Sequence, residues 1–183
     1  MSSVVFVGLL GVVVGVLAER IARVFGRLYC ETSDWETRYT TATLNPFGLY
    51  KEIEPEQAKM FAKRVGYRFA IDVFNGKEIP TGLRDIKVEL VREGGSPLES
   101  RPYDLMSVRK DELSKGLVRT EVAVINIPPR HFVHMQLTGS FDTREAVVAL
   151  RGGSWKRVEI VGQLSRGLLL SRSKIYRKKI ATP

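Results

Sequence analysis

The 183-residue sequence predicts a mainly β fold. It is one β-sandwich, immunoglobulin-like in a loose sense, behind a single N-terminal transmembrane helix. Three observations predict it. Segments of period-two hydrophobicity recur between residues 67 and 161, with turn residues every ten positions or so. About 150 residues remain once the first segment is set aside, enough for one domain with its own core. Val4 to Ala18 holds no polar side chain, which suits a bilayer better than a core of this size.

The N-terminal run is short for a span, because fifteen residues rise only about 22 Å as a helix. Ser2 and Ser3 extend it on one side. On the other, Ile21, Ala22, Val24 and Phe25 continue it while Arg20, Arg23 and Arg27 reach for headgroups. Val4, Phe6, Leu9, Val13 and Leu17 are then membrane-span residues. Gly11 and Gly15 form a G-x-x-x-G face on which two helices can pack, so a homo-oligomer through this helix is an expected partner state. The positive charges follow the span. The positive-inside rule therefore places the N-terminus outside and the globular part in the cytoplasm. Two alternatives remain: a cleaved signal peptide ending at Val16-Leu17-Ala18, and a buried core helix.

Residues 19–29 continue as a helix with an apolar stripe of Ile21, Val24, Phe25 and Leu28. Anchor and stripe together make up residues 1–28. Cys30 follows, either a plain thiol or a juxtamembrane acylation site. A sandwich over residues 32–163 comes next. Trp35 to Leu44 alternates as a first strand, and Asn45-Pro46-Phe47-Gly48 turns. Glu54-Pro55-Glu56-Gln57 opens a short helix near 55–65, closed by Gly66. Tyr67, Phe69, Ile71 and Val73 line one face of a strand that ends at the turn signal Asn75-Gly76. Ile86, Val88 and Leu90 line the next strand. Residues 101–116 are irregular, with a short helix at 111–114. Leu117 to Ile127 is a strand stopped by Pro128-Pro129. Phe132 to Phe141 is another, with Val133, Met135 and Leu137 on one face. Ala146 to Leu150 reads as a short apolar strand, and Trp155 to Val161 closes the set.

Residues 164–183 form a basic tail in which Leu168 to Leu170 is an edge-strand candidate. The formal net charge is +9, which favours anionic partners. Arg20, Arg23, Arg27, Arg172, Lys174, Arg177, Lys178 and Lys179 are the expected contacts to anionic lipid or another polyanion. Nucleic acid, with Tyr176 as a stacking platform, is the other reading of the tail.

No nucleophile elbow, phosphate loop or dinucleotide fingerprint is present. His131 and His134 are three apart in a strand and point to opposite faces, so they do not share a metal. No catalytic residue, metal site or cofactor is assigned. The expected function is a membrane-anchored, non-catalytic binding or scaffolding module. Its expected partners are the lipid bilayer and a protein of unspecified identity. An exported binding domain with a cleaved signal peptide and a membrane-tethered nucleic-acid-binding protein are the alternatives.

Overall fold

A computed structural model describes residues 14–16, 27–44, 50–52, 62–110, 117–165 and 174–183. The elements in chain order are β1 (Leu28–Leu44), β2 (Tyr50–Glu52), β3 (Arg64–Asn75), β4 (Thr81–Arg92), β5 (Leu98–Ser100), β6 (Tyr103–Asp104), β7 (Arg109–Lys110), β8 (Leu117–Val118), β9 (Val124–Ile127), β10 (Phe132–Phe141), α1 (Arg144–Gly152), β11 (Trp155–Ser165) and β12 (Lys174–Ala181). Two sheets result. The first runs β2-β1-β3-β10-β6, and the second runs β12-β11-β4-β5 with β9 also on β4. β7 and β8 form a separate ribbon. All named sheet pairings are antiparallel. The predicted β-sandwich is what forms.

Alternation builds the core. On β3, Val65, Tyr67, Phe69, Ile71 and Val73 are all buried, as their period of two requires. Ile86, Val88 and Leu90 of β4 oppose them with Val158 and Ile160 of β11. Trp35 joins from β1 and stacks on Tyr67, ring centroids 5.7 Å apart. Its inward position needs an irregularity. The register shifts between Ser33 and Glu36, and Asp34 takes φ 55, a left-handed value that Asp tolerates.

Several expectations fail for physical reasons. Leu28 does not end a helical stripe; it opens β1, opposite Asn75. Cys30 is buried against the core, which removes it as an acylation site. Val65 and Gly66 belong to β3 rather than to the end of a helix; the rest of that expected helix, 53–61, lies outside the described residues. Asn75-Gly76 does not close a hairpin, because β3 and β4 lie in different sheets. Leu117 to Ile127 is not one strand but two short ones on different partners. The helix expected at 111–114 and the strand candidate Leu168 to Leu170 lie outside the described residues.

Ala146 to Leu150 is helical, not extended. The ends decide this. Thr143 is an N-cap whose Oγ1 accepts from the Ala146 amide at 3.3 Å. Glu145 sits in the first turn, Arg151 in the last, and Gly153 closes with φ 68. Ala146, Val147 and Ala149 then fall on the buried side.

The basic tail is also corrected. The expected boundary at 163/164 falls inside β11, and the basic run from Lys174 is the next strand. β12 closes the sandwich beside β1, where Thr32 Oγ1 donates to the Lys179 carbonyl at 3.1 Å.

The expected anchor falls mostly outside the described residues. Val4, Phe6, Leu9, Gly11, Val13 and Leu17 are not among them. Val14, Gly15 and Val16 are helical, with Val14 and Val16 56% and 47% exposed. These three residues do not pack into the domain core. Among the described residues no helix is long and apolar enough to cross a membrane.

Candidate functional site

Residues opposite one another in an antiparallel sheet project to the same face. The outer face of the first sheet can therefore be read in rows across β1, β3 and β10. The first row is Tyr29, Phe74 and Phe132. The second is Glu31, Asp72 and His134. The aromatic row is exposed at its flanks: Tyr29 is 57% and Phe132 60% open to solvent. Tyr29 and Phe74 have ring centroids 6.3 Å apart. In the row behind, His134 Nδ1 lies 2.6 Å from Asp72 Oδ1.

This end of the sandwich is held by one buried side chain. Asn75 is fully buried. Its Nδ2 donates to the carbonyls of Ile79 at 2.8 Å and of Ile127 and Pro128 at 3.1 Å each. Its Oδ1 accepts from the Lys77 amide at 3.1 Å. The loop after β3 and the turn between β9 and β10 are thus pinned to one side chain. The Arg130 amide donates to the Lys77 carbonyl at 3.1 Å, and the Gly76 amide to the Arg27 carbonyl at 3.0 Å. Arg27, where the N-terminal segment joins the domain, is therefore fixed at this end.

The charged side chains here are mostly positive. Arg27, Lys77, Arg130 and Lys174 are all at this end; Lys174 begins β12 opposite Leu164, which in turn faces Leu83 near the start of β4. Among the described residues Glu78 stands with them, 3.5 Å from Arg130, and Glu31 and Asp72 lie one row behind the aromatics. His131 precedes the aromatic row, and its Nδ1 lies 2.8 Å from the Pro129 carbonyl. The two histidines do not converge, and no cluster of three metal-type ligands occurs among the described residues.

The expected polyanion contacts divide once β12 is a strand. Arg177 and Lys179 project outward from the second sheet, and Lys178 lies half-buried on the opposite face. Arg177 is engaged internally. Its Nη1 donates to Glu89 at 2.6 Å and to Glu159 at 3.2 Å, and the Glu89 bond is the strongest influence raising its pKa. Glu89 and Glu159 sit opposite each other on β4 and β11 and are both buried. Two such carboxylates repel unless a cation bridges them. Lys174 and Arg27 share one end of the domain, whereas Arg20, Arg23 and Arg172 lie outside the described residues. Tyr176 faces the seam between β12 and β1, hydrogen-bonded to Cys30; it is not a free stacking platform.

The sequence reading missed Phe132, Tyr29, Phe74 and Arg130 as members of one surface, and Asn75 as the buried side chain beneath it. The parity of β10 did carry a signal: with Val133, Met135 and Leu137 inward, Phe132 must point out.

Fold and surface together define a two-sheet, immunoglobulin-like β-sandwich domain whose N-terminal end carries exposed aromatics and cations. The chain belongs to the YopI Ig-like domain family, whose model matches residues 26–154. No curated protein matches it. Among solved structures it is similar to a protein from Archaeoglobus fulgidus, at 11% identity and a TM-score of 0.39, covering 84% of this chain and 98% of that one. It is also similar to a β-sandwich protein from Clostridium difficile 630, at 11% identity and a TM-score of 0.36, covering 82% and 85% of the two chains.

Proposed function

We propose that this protein is a single-pass, membrane-tethered binding module, non-catalytic and cytoplasmic, whose Ig-like domain rests its N-terminal end on the bilayer. One observation carries the reading. The apolar run Val4 to Ala18 leads into Arg27, and Arg27 is bonded to the same end that exposes Tyr29 and Phe132 on either side of Phe74. Aromatic side chains partition into the headgroup region, where an apolar body and a polar edge are both satisfied. Arg27, Arg130 and Lys174 are at the same end as that row, and each cation close to an anionic leaflet contributes about 1 kcal/mol. The opposite end of the domain then faces away from the bilayer and is left for a partner.

The test is paramagnetic broadening of backbone amides in the full-length chain, held in nanodiscs doped with a nitroxide lipid. Amides of Tyr29, Lys77 and Arg130 to Phe132 are expected to broaden, while those of Ser96, Asp142 and Gly153 keep their intensity. Equal broadening at both ends, or a mature chain that begins at Glu19, overturns the reading.

A further inference from the structure

We propose that a groove on the outer face of the first sheet, at the end far from Arg27, binds a small phosphate-bearing ligand. The groove encloses about 510 Å³, within the range of small-molecule sites. Its floor follows from strand register. Arg38 of β1, Gly66 of β3 and Ser140 of β10 form one outward row, and Thr40 and Arg64 begin the next. Gly66 leaves the floor bare: a Cβ there would meet nothing closer than the Arg38 carbonyl at 3.7 Å. Tyr103 and Arg119 supply the facing wall.

Among the described residues, three guanidinium groups line this groove and no carboxylate does. The neighbouring acids stand outside its lining and orient the cations. Asp142 pairs with Arg64, which also donates to Ser140 Oγ at 2.7 Å. Glu36 lies 4.0 Å from Arg38. Planar guanidinium forks match the oxygens of a phosphate dianion better than any other common cation. A second observation points the same way. Thr40 Oγ1 is buried at the groove and has no hydrogen-bond partner among the described residues. An orphan hydroxyl carries a desolvation cost, and a ligand oxygen would accept its proton. The volume exceeds a bare phosphate and leaves room for an organic body against the Tyr103 ring. The inference does not depend on membrane attachment.

Phenyl phosphate is the probe, titrated into the ¹⁵N-labelled full-length chain in nanodiscs at constant ionic strength. Saturable shifts are expected at Arg38, Gly66, Arg119 and Ser140, and benzyl alcohol of similar size is expected to give none. Arg119→Ala should weaken binding by about tenfold, consistent with loss of one charge-assisted contact. Arg119→Lys should weaken it less, because charge remains and the fork is lost. Arg130→Ala, at the opposite end, should leave it unchanged. Thr40→Val supplies a variant that leaves every guanidinium in place and should also weaken binding. Absence of saturable binding overturns the proposal. So does binding that ignores both Arg119→Ala and Thr40→Val, or that falls equally with Arg130→Ala.

Discussion

Gly139 stands opposite Tyr67 in the β3–β10 register, and both face the core. A Cβ at this position would collide with the Tyr67 hydroxyl. That hydroxyl is committed. Ser100 Oγ donates to the Ser140 carbonyl at 2.7 Å, so Tyr67 donates to Ser100 across 3.0 Å. Gly139→Ala is expected to lower stability by about 2 kcal/mol, since overpacking moves a buried ring and breaks its bond. Denaturant unfolding measures it, and Tyr67→Phe in the same chain should recover part of the loss. An unchanged midpoint would contradict this account. Asn75 teaches the complementary lesson. In sequence it reads as half of an Asn-Gly turn signal. Its partners at Ile127 and Pro128 are more than fifty residues away, and no local pattern announces them.

β12 shows what an element gains from its neighbours. By composition Lys174 to Ala181 reads as a solvated, basic tail. In the fold Arg177 bridges Glu89 and Glu159, and with Arg157, whose Nε donates to Glu159 at 2.7 Å, it offsets a repulsion that opposes pairing of β4 with β11. Arg177→Ala is expected to loosen β12. Amides of Tyr176 to Lys179 should exchange faster, and trypsin should cut after Lys178 and Lys179 sooner, with Glu159→Gln restoring part of the protection. Unaltered exchange would refute the role given to this ion pair. The other face of β12 meets β1 at Tyr176 and Cys30. Burial pushes the Cys30 thiol up, with the Tyr176 bond partly offsetting it, and burial pushes the Tyr176 phenol well above its usual range. Both folded-state values are raised, so their contribution is complete below the ordinary values of 9.0 and 10.0 and is lost as pH rises beyond them. Stability should therefore fall above pH 9. Tyr176→Phe should make that fall shallower in thermal melts taken across alkaline pH, and an identical slope would discount the seam. α1 makes a related point. Five apolar residues do not distinguish strand from helix, and Thr143 with Gly153 settles the matter at the ends.

The whole molecule has a boundary that neither composition nor the family match discloses. The match ends at residue 154, but β11 begins at Trp155 and lies between β4 and β12. Its Val158 and Ile160 are buried in the common core. A chain cut after residue 154 is expected to lose cooperative unfolding, checked by circular dichroism melts. A sharp transition in that fragment would show that the second sheet closes without β11.

The sequence by itself determined the fold class, most strands and their inward faces, because alternation is a local property and burial follows it directly. It also marked Val4 to Ala18 as the feature that sets this chain apart from an ordinary sandwich. Only the tertiary structure decided which exposed residues share a surface. Tyr29, Phe74 and Phe132 come from three strands, and Arg38, Arg64 and Arg119 from distant parts of the chain. Register and sheet closure bring them together, and both depend on contacts far apart in sequence. The same closure turned a basic tail into an edge strand, in which Arg177 bridges two buried carboxylates that would lose a compensating cation without it.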